Sequence, residues 1–307
     1  MVTDPWSLYW QGDNLQSCVA SQSASDSEQL AEYWQNIASK LDGSARVLDL
    51  ACGNGVVAVH LLQASPGMQI CGVDQAKIAP QKLIAANPEL GSVEFFPETS
   101  VSELPFDGES FDLVVSQFGI EYAELSSSSA EAVRVLRPSG VLTFLLHHQD
   151  SSIVQSALRH LQEVSQLLAH DGLVERARDY CAGRISLSEL ERCGEEYLGS
   201  ATYQTKQVSG QIFAGINHFI ELVGSVDAKA SDQATQLLAT MARRLKADQQ
   251  RLQQMAAAAL DAPGLSAWVE RYAELGIDML ETEPLKIGCE EEEILIAWRL
   301  SGRKSGD

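Results

Sequence analysis

The stretch Arg46–Gly55, RVLDLACGNG, decides the fold of this chain of 307 residues. Its apolar part is short and continuous, which is typical of a strand buried on both faces of a parallel sheet. Gly53 and Gly55 follow that strand and precede VVAVHLLQAS, which has a helical pattern. Glycine in a strand–helix turn permits unusual dihedrals and lets a ligand approach the main chain closely. The stretch therefore predicts a ligand-binding loop at the carboxyl end of a buried strand.

An alternation of apolar strands and helical patterns extends from this loop as far as residue 148. Four further strands are predicted at QICGVDQ, VEFFPET, SFDLVVSQFGIEY and VLTFLLHH. Other helices are predicted at SDSEQLAEYWQNIASKL, QKLIAANPEL and SSAEAVRVLRPSG. This alternation predicts an α/β fold with a doubly wound, mostly parallel sheet.

The pattern changes twice after residue 148. Helical patterns without a convincing strand fill residues 150–262, and DMLETEPLKIG and EEEILIAWRLSG then predict a β-hairpin. We therefore expect an α/β core with an N-terminal helical segment at 1–149, a helical insertion at 150–262, and a last helix with the hairpin at 263–307. One helix of the insertion has an apolar stripe of Leu238, Met241, Leu245, Leu252 and Met255. Packing within the chain is the favoured interpretation, and a dimerising coiled coil, giving a homodimer, is the alternative.

The composition is that of an acidic globular protein. The chain has 42 acids and 22 bases, a net charge of −20, and such a surface argues against a nucleic-acid substrate. None of the six cysteines forms a CxxC pair, so neither a metal site nor a redox dithiol is predicted. The first residues do not resemble a signal peptide, and no apolar run is long enough to span a bilayer. These features predict a cytoplasmic protein without a membrane partner.

Three features of the glycine loop indicate the chemistry of its ligand. Asp49 lies shortly before Gly53, where a carboxylate is unfavourable beside a pyrophosphate but suits a cationic group. The third glycine of the dinucleotide fingerprint is missing after Gly55. Asp74 ends the second strand, where an acid can accept hydrogen bonds from ribose hydroxyls. Together they indicate a nucleoside with a positive charge near the loop, and S-adenosylmethionine fits this description.

Four motifs in this order resemble those of class I S-adenosylmethionine-dependent methyltransferases: VLDLACGNG, GVD, LPFDGESFDLVVSQFGIEY and VLRPSGVLTFLL. The resemblance implies a Rossmann-like, seven-stranded sheet whose last strand is antiparallel and comes from a C-terminal hairpin. It also implies S-adenosylmethionine as the cofactor and methyl transfer to an acceptor, which we expect to be a small molecule. The helical insertion is then expected to be a lid that binds the acceptor.

The same resemblance implies the residues that hold the methionine end and the sugar of the cofactor. Asp49, Ala51 and Gly53 would line the methionine end, Asp74 would hold the ribose, and Gln75 would lie beside the adenine. The structural alternatives are that Asp49 merely caps the turn and that Asp74 is an ordinary acid at a strand end.

At the adenine, the sequence departs from the usual pattern of the family. Ser100, followed by Val101, stands where family members often carry an acid that meets the adenine amino group. Either Ser100 accepts that hydrogen bond, or Glu98 replaces it from a shifted loop. Gln117 and Phe118 end the fourth strand, where the methyl group would face the acceptor.

Aromatic side chains ahead of the first long helix form another candidate element. Trp6, Tyr9 and Trp10 either fold over the cofactor, in which case Trp10 would contact it, or form a hydrophobic staple on the surface.

The candidates for a catalytic residue lie after the fourth strand and at the end of the fifth. His147 and His148 end the fifth strand at the sheet edge where ligands bind, so one of them could be a general base. A solvated or core-bound pair is the favoured alternative, because adjacent strand residues point to opposite faces. Glu121 and Tyr122 follow Gly119 near the expected transfer position and either orient an acceptor or begin a helix.

Two other functions share part of this pattern. A nicotinamide-dependent Rossmann dehydrogenase uses the same strand–glycine–helix–acid arrangement, but Asp49 and the missing glycine argue against it. A non-catalytic protein that binds S-adenosylmethionine, or serves as a scaffold, is the other alternative, because no catalytic base is assured.

Overall fold

The computed structural model describes residues 4–17, 24–198, 232–289 and 292–306. The chain forms two compact units. Unit 1 comprises Met1–Gln155 and Gln254–Asp307, and unit 2 comprises Ser156–Gln253. In sequence, unit 2 falls inside the predicted insertion at 150–262, and the first and last residues of that insertion belong to unit 1.

The described part of unit 1 contains a seven-stranded sheet. Its strands are β1 (Arg46–Leu50), β2 (Gln69–Asp74), β3 (Glu94–Pro97), β4 (Phe111–Gln117), β5 (Leu136–Leu146), β6 (Ile277–Cys289) and β7 (Glu292–Lys304). Their order is β3-β2-β1-β4-β5-β7-β6. Pairing is parallel from β3 through β5, whereas β7 is antiparallel to both β5 and β6. The predicted mostly parallel sheet, with its antiparallel strand from a C-terminal hairpin, is confirmed.

Helices flank the sheet in unit 1 and make up the described part of unit 2. They are α1 (Pro5–Trp10), α2 (Ala24–Ala38), α3 (Val56–Ala64), α4 (Leu125–Val135), α5 (Ser152–Leu168), α6 (Leu173–Cys181), α7 (Leu187–Leu198), α8 (Asp232–Ala258) and α9 (Ala262–Glu274). None of the helices in the described ranges is both long enough and apolar enough to cross a membrane.

The central strands are buried on both faces, as a parallel sheet requires. Val47, Leu48 and Leu50 of β1 are fully buried, and so is most of β4. The strand order reverses at β1: β2 and β3 are added on one side of it, and β4 and β5 on the other. Ligands of open α/β sheets bind in the crevice at such a point, beyond the carboxyl ends of the strands. The fold therefore places the glycine loop at the expected binding crevice.

The predicted helix at QKLIAANPEL is wrong. The segment instead contains two short 3-10 helices, Pro80–Leu83 and Pro88–Ser92. Pro88 disfavours helical dihedrals at the residue before it, and Asn87 is accordingly found at φ −135° and ψ 80°. The proline therefore divides a segment whose composition alone favoured one continuous helix.

Unit 2 has its own apolar core. Val174, Tyr180, Leu190 and Leu238 are buried in it, and Met241 and Leu245 of the predicted stripe pack against it. The stripe on α8 is thus used within the chain, as the favoured interpretation expected. A homodimer remains an untested prediction.

Candidate active site

A cavity of about 890 Å³ opens in unit 1 at the carboxyl ends of β1, β2 and β4. Asp49 and Asp74, from adjacent strands, both line it. The N-terminal segment and the last turn of α8 supply further walls, including Trp6, Trp10 and Gln254. The two carboxylates that the sequence singled out therefore share one cavity.

The loop between β1 and α3 has an unusual backbone. Ala51, Gly53 and Gly55 have positive φ angles of 54°, 53° and 92°. For Ala51 this conformation is strained, and such strain is typical of ligand-binding turns. The turn directs the N–H of Gly53 to Asp74 Oδ2, with a donor–acceptor distance of 2.8 Å. This hydrogen bond fixes the glycine loop relative to the Asp74 carboxylate of β2.

The two aspartates differ in the hydrogen bonds that their carboxylates accept. Asp74 accepts hydrogen bonds from the N–H groups of Gly53 and Ala76, each at 2.8 Å. Burial nevertheless raises the pKa of Asp74 to about 6, against the lowering effect of those bonds. Asp49 is 1% exposed, and neither of its oxygens has a hydrogen-bond partner among the described residues. Burial first, and the charge of Asp74 second, raise the pKa of Asp49 well above its ordinary value.

Asn54, between the two glycines, fastens the N-terminal segment to this loop. Its fully buried side chain donates to the carbonyl oxygens of Trp10 and Asn14, at 3.1 and 2.7 Å. Its Oδ1 accepts from the N–H of Ala79 at 2.8 Å. The ring of Trp10 lies against the backbone of Gly53, so close that a Cβ there would fall 2.4 Å from ring carbon Cζ2. Glycine at this position is therefore required by Trp10 as well as by φ.

Replacing Asn54 with alanine is expected to lower the free energy of unfolding of unit 1 by about 3 kcal/mol, because two buried backbone groups and one partly buried carbonyl lose their partner. All five tryptophans lie in unit 1, so denaturant unfolding followed by tryptophan fluorescence reports on this unit. Asn36→Ala, on the exposed face of α2, is the matched control. An Asn54 variant as stable as that control would contradict the assigned role.

The turn after β4 packs directly against the glycine loop. A Cβ added at Gly119 would lie 2.5 Å from Ala51 Cβ, so only glycine allows this approach. Glu121 follows in the turn and is 7% exposed. Its Oε1 accepts from the backbone N–H of His147 at 2.9 Å, whereas Oε2 is buried and has no hydrogen-bond partner in the described ranges. Burial raises the pKa of Glu121 to about 7, although nearby backbone N–H groups oppose the shift.

His147 lies behind the cavity wall rather than in the cavity. It is fully buried, its ring stacks on Phe118 at a centroid distance of 4.7 Å, and Nε2 lies 3.2 Å from the Tyr122 hydroxyl. Burial lowers the pKa of His147 to about 3, so the ring is neutral. His148 stacks on Trp298 at 4.1 Å. These positions agree with the core-bound alternative for the histidine pair.

The cavity brings together most of the side chains predicted to bind the cofactor. Those that line it are Trp10, Asp49, Ala51, Asp74, Gln75, Val101, Gln117 and Phe118, together with the catalytic candidates Glu121 and Tyr122. Gly53, also predicted, does not line the cavity; its backbone N–H donates to Asp74 Oδ2, and the Trp10 ring lies against it. Ser100 does not line the cavity, and its hydroxyl instead accepts the N–H of Ser102 at 3.2 Å. Glu98, the alternative to Ser100, does line it, from a backbone position with a φ of 55°.

Comparison with known proteins identifies the domain that carries this site. Residues 47–140 match the model of a methyltransferase domain family. The chain is 36% identical over 104 residues to a demethylmenaquinone methyltransferase of Deinococcus radiodurans, a match of 33% of this chain and 42% of that protein. It is 28% identical over 203 residues to an uncharacterised methyltransferase of Mycobacterium bovis, covering 64% of this chain and 74% of that protein.

The match with the demethylmenaquinone methyltransferases is thus confined to less than half of their length. Among solved structures, a possible exported protein of Bordetella parapertussis superposes with a TM-score of 0.46 and 13% identity, over 91% of this chain and 68% of that one.

Proposed function

We propose that this chain, whose residues 47–140 match a methyltransferase domain family, binds S-adenosylmethionine in the cavity of unit 1 and methylates a small-molecule acceptor. The observation that carries the proposal is Asp49, a fully buried carboxylate that lines the cavity without a hydrogen-bond partner among the described residues. A buried charge without a partner is costly, so the site is built for a cationic ligand group.

The residues of the cavity fit the cofactor in two further respects. Each carboxylate oxygen can accept more than one hydrogen bond, so Asp74 can accept from ribose hydroxyls while it keeps the N–H groups of Gly53 and Ala76. Gln75 and Glu98 also line the cavity and are the candidates for contacts with the adenine. S-adenosylmethionine, when bound, supplies an electrophilic methyl group on a positively charged sulfur.

The chain itself has to orient the acceptor and exclude water. Alignment of two reactants can lower a barrier by several kcal/mol, and an enclosed cavity protects the reaction from solvent. Trp6 supports the wall of the N-terminal segment, because its Nε1 donates to Gln254 Oε1 at 2.8 Å. Trp10 and Phe118 are buried aromatic residues on the same cavity surface.

Calorimetric titration of the purified protein with S-adenosylmethionine tests the proposal. We expect saturable binding below the millimolar range. The absence of heat at millimolar cofactor would refute the proposal, and binding of NADH without binding of S-adenosylmethionine would favour the dehydrogenase. Cofactor binding without turnover on a broad acceptor panel would favour the non-catalytic alternative.

A further inference from the structure

Aromatic rings form a continuous row along one side of the cavity. Trp10 stacks with Trp6 at a centroid distance of 6.4 Å, and Trp6 meets the edge of Tyr122 at 5.4 Å. Behind them, His147 lies 5.9 Å from Tyr122 and 4.7 Å from Phe118. Of these rings only His147 is outside the cavity lining. Such a row offers stacking and edge contacts to a planar apolar molecule.

The charges that line the cavity disfavour one class of acceptor. The acids are Asp4, Asp49, Asp74, Glu98 and Glu121, whereas Lys77 is the one base among the described lining residues. The Lys77 ammonium lies 3.6 Å from Glu98 Oε1, so an acid of the same lining partly offsets its charge. His147 adds no positive charge, because its pKa is lowered to about 3 by burial. Among the described lining residues the acids therefore outnumber the bases by five to one, which disfavours a carboxylate or phosphate on the acceptor.

Glu121 is the carboxyl group at the aromatic end of the cavity. Its Oε1 is fixed by the backbone N–H of His147, so the group has one defined orientation. Its Oε2 is buried and accepts no hydrogen bond from the part of the chain that the structure describes. A buried acceptor atom of this kind needs a donor, and an acceptor hydroxyl is one. A carboxyl group whose pKa burial raises to about 7 is also suited to general base catalysis at neutral pH.

We propose that the methyl acceptor is an uncharged aromatic hydroxyl compound and that Glu121 Oε2 takes the proton from its hydroxyl. The proposal rests on the function proposed above. In the step, the O–H bond of the acceptor breaks, a bond between that hydrogen and Oε2 forms, and the electron pair stays on the acceptor oxygen. The oxygen is thereby made a nucleophile inside a cavity whose acids disfavour it as a free anion. The backbone N–H of His147 positions the Glu121 carboxyl group, and the Tyr122 hydroxyl lies 3.2 Å from His147 Nε2.

Binding without cofactor is the first test. Unsubstituted phenol, which is uncharged at pH 8, is titrated calorimetrically at that pH into the protein and into Glu121→Gln, with para-nitrobenzoate and benzylamine in parallel. We expect the wild-type protein to bind the phenol and reject the benzoate. We expect Glu121→Gln to bind the phenol about 10-fold or more weakly, because a hydrogen bond to a charged group is lost. Glu103→Gln, an exposed acid outside the cavity, is the matched control.

Turnover on a panel of phenols with S-adenosylmethionine is the second test. We expect Glu121→Gln to lower kcat by about 100-fold with a smaller effect on cofactor affinity, and to abolish the rise of kcat with pH near neutrality. Equal phenol binding and equal kcat in the wild-type protein and Glu121→Gln would overturn the role of Glu121. Preferred binding of para-nitrobenzoate, or preferred binding and methylation of benzylamine, would overturn the acceptor class. Failure of the cofactor titration would instead overturn the proposed function, whatever the phenol titration gives.

Discussion

Asp49→Asn is expected to weaken the binding of S-adenosylmethionine by about 100-fold and, at the same time, to make the cofactor-free protein more stable. The loss of affinity follows because breaking a buried charge pair by removing one partner costs about 3 kcal/mol. The gain in stability follows from the raised pKa of Asp49, since folding holds a carboxyl group where its ionised form is unfavourable. That cost is absent at low pH, grows as the pH rises above the ordinary pKa of an aspartate, and disappears in the asparagine variant.

Two measurements on one variant check this prediction. Calorimetry gives the cofactor affinity, and urea unfolding followed by tryptophan fluorescence gives the stability of unit 1. Asp107→Asn, at an exposed position outside the cavity, controls for the change of an aspartate elsewhere in the unit. If Asp49→Asn bound the cofactor as well as the control, a cationic group could not be the partner of this carboxylate. If it were less stable than the control at pH 8, Asp49 would have a structural role that the cavity does not show.

The sheet and the pair of carboxylates could be predicted because both follow from local pattern. A buried strand is a continuous apolar run, and the carboxyl ends of neighbouring parallel strands meet at one edge of the sheet. Asp49 pairs in register with Gly72 of β2, two residues before Asp74, so the two acids had to lie near each other once the strand order was set. The hairpin was predicted in the same way, from two apolar runs close together near the C-terminus.

The contacts that join distant segments could not be predicted. Asn54 binds the backbone of Trp10 and Asn14, and no local pattern indicates such partners. A polar residue between two glycines is the only local signal, and it does not indicate which backbone groups the side chain will bind. Glu98 lines the cavity where Ser100 does not, and its positive φ is a feature that the sequence does not reveal.

The roles of two catalytic candidates also depended on tertiary structure. Both Glu121 and His147 were placed at the correct edge of the sheet, but the sequence could not tell which one faces the cavity. Phe118 has a φ of 57° and stacks on His147, which puts the histidine behind the wall. The backbone N–H of the same histidine then holds the carboxyl group of Glu121.

Glu121→Gln is expected to stabilise the cofactor-free protein in a strongly pH-dependent manner. Burial raises the pKa of Glu121 from 4.5 to about 7, so the folded state binds this proton more tightly than the unfolded state does. The wild-type protein therefore has no penalty from this group below pH 4.5, an increasing penalty up to pH 7, and a constant one above. From these two pKa values, the loss in free energy of unfolding is about 1 kcal/mol at pH 5 and about 3 kcal/mol at pH 8. The variant lacks the penalty, and its advantage should increase between those two values.

Urea unfolding at pH 5 and pH 8, followed by tryptophan fluorescence, measures this advantage in unit 1. Asp49 and Asp74, which also line the cavity, have raised pKa values as well, but they are common to both proteins and largely cancel in the difference. Glu103→Gln, at an exposed position outside the cavity, again serves as the control. An advantage of Glu121→Gln that is equal at both values would mean that Glu121 titrates as an ordinary glutamate, and it could not then be a base poised near neutral pH. An advantage that increases as expected, together with a lower kcat, would show that the protein gives up stability to keep this carboxyl group in the cavity.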